Sequence, residues 1–209
     1  MPEDRAFRTA VGDIAWTVTG ANGQELIRAA RPGESTLGAF AVRIDGIWHR
    51  LGTPDRVDDP SGQTIWQWTE SGATATFSAD AFAALRIDLV CARADAVSIH
   101  WHADPDEHFY GLGERFDTLD QRGKIIELWV KNGASGFDTY KPIPWIASSN
   151  PYGIAIDTTR RVFVSLAHPT TPAIASITVE GPAADVRIFT GATTADVLER
   201  YTAWIGRPP

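Results

Sequence analysis

The feature that most constrains the fold of this chain is the alternation of apolar and polar residues in many short runs. The run Leu85–Cys91, for example, reads LRIDLVC and places apolar residues at alternate positions. Because successive side chains of a β-strand point to opposite faces of a sheet, such a run predicts a strand with one buried face. The predicted strands are Thr36–Ile44, Ile65–Thr69, Ala73–Ser78, Leu85–Cys91, Ala96–His102, Lys124–Val130, Gly153–Asp157, Val162–Leu166, Ala173–Val179 and Asp185–Thr190.

The connections between these runs contain no helix of the length that a parallel crossover requires. Short polar connections and burial with a period of two instead favour antiparallel sheets that pack face to face. The 209 residues, 44% of them hydrophobic and eight of them tryptophan, are ample for the core of one such domain. We therefore predict an all-β fold, a large antiparallel β-sandwich.

Charge and cysteine content exclude several classes of protein. The net charge of −7, without a basic stripe, argues against a nucleic-acid partner and against an anionic membrane surface. The single cysteine, Cys91, cannot form an internal disulfide, and its place in an alternating run predicts a buried strand residue. The N-terminus shows no signal-peptide pattern, and no run of about 18 apolar residues occurs. The sequence predicts a soluble, cytoplasmic protein that contacts no membrane.

The C-terminal segment departs from the strand pattern. Thr193–Ile205 reads TTADVLERYTAWI, and its apolar residues fall on one stripe at helical spacing. Thr193 is a predicted N-cap with Asp196 three residues later, and Gly206 ends the helix. We predict a sandwich domain over residues 1–192 and a helix with a junction over residues 193–209.

Six carboxylates lie close together in the sequence and invite a catalytic interpretation. Retaining glycoside hydrolysis needs two carboxyl groups about 5–5.5 Å apart. The alternative, which the sequence favours, is structural: residues 104–107 (DPDE) predict a solvated turn, and Arg115 and Arg122 offer charges for pairing. The six are Asp104, Asp106, Glu107, Glu114, Asp117 and Asp120.

Two histidines, His100 and His102, share one face of a predicted strand and could begin a zinc site. A third ligand would be needed, and only His108 lies nearby in the sequence. Histidines on the polar side of a strand are more often surface residues, so we predict no metal and no cofactor.

A loop rich in Gly, Asn and Ser runs from Val130 to Thr139 (VKNGASGFDT), with aromatic residues on both sides of it. Aromatic faces cover the C–H surfaces of sugars, while Asn and Asp bond hydroxyl groups. A hairpin loop with core aromatics at its base explains the same pattern. From these residues alone the two interpretations stay open.

An ordered series of motifs carries a family resemblance. FYGLGERFDTLDQRG is followed by an ELW strand, TYKPIPW, SSNPYGIAIDTTRRV and ADVLERYTAWIGRPP. In this order the motifs resemble glycoside hydrolase family 31, the family of α-glucosidases and α-xylosidases, at its N-terminal domain. The resemblance covers residues 108–209, whereas residues 1–107 match only in strand character. It implies a galactose-mutarotase-like supersandwich with one C-terminal helix.

The resemblance also implies where the chemistry takes place. In the family, the nucleophile and the acid/base belong to a (β/α)8 barrel that follows this domain, so no catalytic residue is assigned here and the chain alone is expected to be inactive. A loop of the family's sandwich reaches over the barrel mouth. The matching residues make Lys131, Asn132, Phe137 and Asp138 the expected substrate-binding residues, with Leu119, Asp120 and Arg122 as a second group.

The leading hypothesis is therefore a non-catalytic N-terminal domain of a glycoside hydrolase that acts on α-glycosidic bonds. Its expected partners are the catalytic barrel of the parent enzyme and a carbohydrate substrate. The alternatives are a free-standing carbohydrate-binding sandwich, or a mutarotase-like sugar epimerase that uses His100 or His102.

The leading hypothesis predicts an exposed apolar patch above roughly 600 Å² for docking on the barrel, through which a homo-oligomer could also form. The residues expected there are Tyr140, Pro142, Pro144, Trp145, Trp204 and Ile205.

Overall fold

The computed structural model describes residues 7–10, 15–20, 22–131 and 139–207. Six-stranded and eight-stranded antiparallel sheets form a sandwich, accompanied by a three-stranded sheet and, within the described residues, one C-terminal helix. The predicted all-β sandwich with a C-terminal helix is confirmed. Strands are numbered β1 to β17 and the helix is α1. The three-stranded sheet contains β1 (Phe7–Ala10), β2 (Ala15–Thr19) and β3 (Glu25–Arg28).

The six-stranded sheet is built around β10, which is buried on both faces. Val97, Ile99 and Trp101 point into the core, while Ser98 and His100 are buried on the other face, where Ser35 Oγ lies 3.0 Å from His100 Nδ1. In spatial order the sheet contains β12 (Lys124–Leu128), β15 (Val162–Leu166), β16 (Ile174–Glu180), β10 (Ala96–His102), β4 (Phe40–Ile44) and β5 (Ile47–Arg50).

The eight-stranded sheet packs its alternating apolar residues against the six-stranded sheet. Trp66 and Phe77 meet edge to face with ring centroids 4.8 Å apart, and Phe40 of the opposite sheet lies 6.4 Å from Trp66. Cys91 is buried, as predicted. In spatial order the sheet contains β11 (Phe109–Gly111), β13 (Trp145–Ser148), β14 (Tyr152–Ile156), β17 (Ala183–Thr190), β9 (Leu85–Cys91), β8 (Ala73–Ser78), β7 (Thr64–Trp68) and β6 (Arg56–Asp58).

Agreement with the predicted strands follows the clarity of the alternation. β8, β9, β10 and β15 have the predicted bounds. The strands β1, β2, β3, β5, β6, β11 and β13 were not predicted, because all but β2 have only three or four residues and too short an alternating pattern to recognise.

Helix α1 (Thr194–Ile205) has the predicted start. Thr193 accepts a hydrogen bond from the backbone N–H of Asp196, and the Asp196 carboxylate accepts one from the backbone N–H of Thr193, so the capping box is complete. The chain leaves the helix at Gly206 with φ at 90°. Within the described residues, no helix has the length and apolar character needed to cross a bilayer.

The apolar stripe of α1 packs on the outer face of the eight-stranded sheet. This packing shows that one predicted exposed residue is buried. Trp145, expected in an exposed patch, is only 7% exposed, and its ring stacks on Tyr201 of α1 with centroids 3.9 Å apart. Gly153 makes room for this ring, since a Cβ there would lie 2.2 Å from an atom of the Trp145 indole. Arg187 of the sheet adds a cation–π contact to Trp204, 4.8 Å from the ring centroid.

Candidate functional site at the base of the β12–β13 connection

The connection from β12 to β13 passes from one sheet of the sandwich to the other. Its base is closed by a bridge between Val130 and Thr139, where the N–H of Lys131 donates to the carbonyl of Thr139 at 3.0 Å. The Lys131 ammonium lies 2.7 Å from a carboxylate oxygen of Glu127. The other residues predicted for this loop, Asn132, Phe137 and Asp138, lie outside the described residues. The loop therefore starts from a well-braced base, and its role in substrate binding stays a prediction.

Gly113 fixes the FYGLGER motif against the far end of the same connection. The backbone N–H groups of Leu112 and Glu114 donate to the carbonyls of Trp145 and Lys141 at 2.8 and 3.2 Å. Gly113 between them has φ at +89°, and a Cβ there would lie 2.1 Å from the carbonyl oxygen of Lys141. Only glycine satisfies both conditions, so this motif positions the segment that begins at Lys141.

The second predicted substrate-binding group is Leu119, Asp120 and Arg122, and its members have different surroundings. Asp120 pairs with His108 Nδ1 at 2.7 Å, not with the Arg122 side chain, and accepts backbone N–H bonds from Phe109 and Arg122. The Arg122 guanidinium donates to the carbonyls of Glu107 and Pro172 at 2.6 and 3.3 Å. Both charged side chains hold the turn together, whereas Leu119 is 80% exposed. The pKa of Asp120 is lowered, because the hydrogen bonds to its carboxylate outweigh the opposing effect of burial.

Four large apolar side chains lie exposed at the two ends of the β12–β13 connection, and we call them the apolar rim: Trp129, Val130, Tyr140 and Ile143. Beside them is a cavity of about 180 Å³. Its lining includes the buried side chains of Leu128 and Val162 as well as Thr158 and Arg160. The full lining is Leu128, Trp129, Val130, Pro142, Pro144, Thr158, Thr159, Arg160 and Val162.

The two arginines beside the cavity have different surroundings. Arg161 lies over the Trp129 ring, 5.2 Å from its centroid, and is 3.2 Å from the Glu127 carboxylate. Arg160 packs over Gly181, where a Cβ would come within 2.5 Å of its guanidinium. Within the described residues, the Arg160 side chain has no carboxylate within salt-bridge distance. No role is predicted from the sequence for residues 158–160, although residues 157–161 (DTTRR) form a polar run after a buried strand and mark a turn that could carry one.

The expectation that residues 104–107 form a solvated turn is wrong for Glu107, because this residue is buried. Its side chain is 3% exposed and accepts hydrogen bonds from the hydroxyl groups of Ser148 and Tyr152. The backbone N–H of Asp104 donates to the second carboxylate oxygen at 3.1 Å, and Trp101 Nε1 donates to the Tyr152 hydroxyl at 3.2 Å. Burial raises the pKa of Glu107, against the opposing effect of these hydrogen bonds. This carboxylate ties the turn after β10 to β13 and β14 of the eight-stranded sheet.

The two histidines of β10 also differ from a surface pair. His100 is 5% exposed, lies 3.0 Å from Ser35 Oγ and 2.7 Å from Ser98 Oγ, and burial lowers its pKa to about 4. His102 lies between Glu34 and Asp104, at 3.5 and 3.3 Å. Among the residues that the structure describes, no three His, Cys, Asp or Glu side chains are grouped so as to hold a metal ion.

Comparison with known proteins places this site in context. Residues 12–164 match the family described as the glycosyl hydrolase 31 N-terminal galactose mutarotase-like domain. An α-xylosidase of Lactiplantibacillus pentosus is 34% identical over 102 residues, which are 48% of this chain and 13% of that protein. A sulfoquinovosidase of Escherichia coli is 25% identical over an alignment 199 positions long, which covers 82% of this chain and 29% of that protein. The chain thus spans a small part of these relatives.

A solved structure supports the fold over almost the whole chain. A family 31 sulfoquinovosidase from E. rectale, in complex with an aza-sugar inhibitor, superimposes with a TM-score of 0.76 at 18% identity. The superposition covers 97% of this chain and 35% of that one. At this identity the likeness concerns the fold alone.

Proposed function

Because the chain belongs to the family of glycosyl hydrolase 31 N-terminal galactose mutarotase-like domains, we propose that it serves as the non-catalytic N-terminal domain of an enzyme acting on α-glycosidic bonds. The observation that carries the proposal is the extent of the matches. The matched residues make up 13% of an α-xylosidase of Lactiplantibacillus pentosus and 13% of one from Emericella nidulans. A piece of this size supports an activity located elsewhere in the polypeptide.

The described side chains favour a supporting role over catalysis. A retaining glycosidase needs one carboxylate free to attack and one acid free to donate a proton, both facing the substrate. Here Glu107 is buried against Ser148 and Tyr152, Asp120 caps a turn, and Asp117 binds the Lys124 ammonium. Each of these carboxylates is occupied by a structural hydrogen bond, which supports placing the catalytic pair in another domain.

The domain acts by docking its apolar rim on the catalytic domain, so that the loop from Lys131 to Asp138 reaches the substrate pocket. Aromatic residues are enriched where proteins associate, and Trp129 and Tyr140 flank the braced base of this loop. A rigid base positions a binding loop at low entropic cost. Lys131, Asn132, Phe137 and Asp138 are the proposed contacts to the sugar.

Loop variants of the natural polypeptide that carries residues 1–209 test this role. With 4-nitrophenyl α-glucoside and α-xyloside as substrates, we expect Phe137→Ala and Asp138→Ala each to raise KM about tenfold, the loss of one good contact. The control is Gln63→Ala, because Gln63 lies on an exposed turn that is distant in the sequence from the loop. This variant should leave KM unchanged. Loop variants with the kinetics of the control would refute the loop's role.

A free-standing carbohydrate-binding module is the alternative function. It would require affinity without a catalytic domain, and the cavity of about 180 Å³ is small beside the ~300–1,000 Å³ of most ligand pockets. Calorimetric titration of residues 1–209 with glucose, maltose, xylose and galactose separates the two functions. Heat of binding at millimolar sugar would favour the module, and its absence would favour the supporting domain.

A further inference from the structure

We propose that the cavity beside Trp129 receives a single apolar side chain of the catalytic domain, with a carboxylate next to it that pairs with Arg160. The inference rests on the proposed function, because it names the point at which the two domains lock together. Within the docking surface, it identifies one anchor site and states which chemical groups occupy that site.

The size and lining of the cavity set the class of occupant. Its volume is about 180 Å³, below the ~300–1,000 Å³ usual for small-molecule pockets and suited to one large side chain. Leu128, Val162 and the two prolines of the lining carry no charge, so an apolar group fits best against them. Interface pockets that bury one anchoring side chain carry much of the binding energy of protein complexes.

The charges of the two arginines beside the cavity indicate which polar group accompanies the inserted side chain. Arg161 is already engaged by Glu127, Glu180 and the Trp129 ring. Arg160 borders the same cavity, and its guanidinium is held against Gly181 with no carboxylate of the described residues in reach. An exposed guanidinium at the edge of an apolar pocket, without a carboxylate of the described residues in salt-bridge distance, favours a carboxylate beside the inserted side chain.

The apolar rim continues from this cavity, which argues for a macromolecular occupant. Trp129 and Val130 line the cavity and are 42% and 63% exposed, and the exposed Tyr140 and Ile143 lie within two residues of the lining residue Pro142 in the sequence. Contiguous apolar surface around a pocket is typical of a protein interface and is costly to leave in water.

Hydroxyl-radical footprinting with mass spectrometry tests the proposal, because it reports side-chain exposure. The oxidation rate of Trp129 is compared between residues 1–209 and the natural polypeptide that carries them. Trp48 is the matched control: it lies on the opposite outer strand of the same sheet, also under an arginine, with Arg43 at 5.7 Å from its centroid. We expect Trp129 oxidation to fall about fivefold or more in the natural polypeptide, as burial in an interface requires, and Trp48 oxidation to stay unchanged.

Two variants of the natural polypeptide test whether protection of Trp129 from oxidation depends on the cavity. Thr158→Trp fills it and Arg160→Glu reverses its charge, and each is expected to restore Trp129 oxidation. Arg56→Glu, a charge reversal on the outer strand β6, is the control and should not restore Trp129 oxidation. Protection of Trp129 that survives both variants would overturn the anchor and leave domain docking intact. Equal Trp129 oxidation in the two wild-type proteins would overturn the anchor and the docking together.

Discussion

Replacing Gly113 with alanine is expected to destabilise the domain by about 3–5 kcal/mol, a large share of the stability of an ordinary domain. The residue has φ at +89°, a conformation that L side chains rarely adopt. An added Cβ would also lie 2.1 Å from the carbonyl oxygen of Lys141 and 2.6 Å from the backbone nitrogen of Ile143. Both neighbours are backbone atoms, so relief requires the two segments to move apart.

Urea unfolding of Gly113→Ala and Gly123→Ala separates the steric cause from the conformational one. Gly123 has a similar φ of +82°, but a Cβ there would meet nothing within 4 Å. Gly123→Ala should therefore cost only about 1 kcal/mol, the price of the backbone conformation alone. Equal losses for the two variants would show that the close packing of the FYGLGER motif on Lys141–Ile143 does not determine its stability.

Replacing Glu107 with alanine is the second change expected to have a large effect, a loss of about 3 kcal/mol. The variant removes the acceptor for the hydroxyl groups of Ser148 and Tyr152 and for the N–H of Asp104. These donors are buried or partly buried, and a buried donor without a partner costs much more than the bond contributed. The loss should appear as a lower urea midpoint with an unchanged slope.

Glu107→Gln is the matched control for this network. The amide oxygen can still accept from Ser148 and Tyr152, while the amide nitrogen cannot accept from the N–H of Asp104. A loss of about 1 kcal/mol is expected, the value of one hydrogen bond. If Glu107→Ala were no more destabilising than Glu107→Gln, the carboxylate would not be the link between the 104–107 turn and strands β13 and β14 that the geometry indicates.

The sequence predicts those parts of this structure whose signal is local. β9 and β15 alternate cleanly and were placed to the residue, and the capping box of α1 needs only Thr193 and Asp196. β14 is buried along its whole length, because the core covers one face and α1 the other. Its period of two is therefore hidden, although its run of apolar residues was still recognised as a strand.

Long-range contacts explain what the sequence could not show. Glu107 is buried because Ser148 and Tyr152, some forty residues later, enclose it. His100 is buried because Ser35, 65 residues earlier, covers its face of β10. The cavity combines residues from three separate segments, so no single motif announces it.

The central claim is that this domain supports an α-glycosidase active site carried by another part of its polypeptide. Its most direct test is to purify the natural protein with an antibody against residues 1–209, and to measure its mass and its hydrolysis of 4-nitrophenyl α-glycosides. We predict a polypeptide much larger than the 22.8 kDa of this chain that releases nitrophenol, while residues 1–209 alone release none. A natural polypeptide of 22.8 kDa, or a large one without α-glycosidase activity, would contradict the claim.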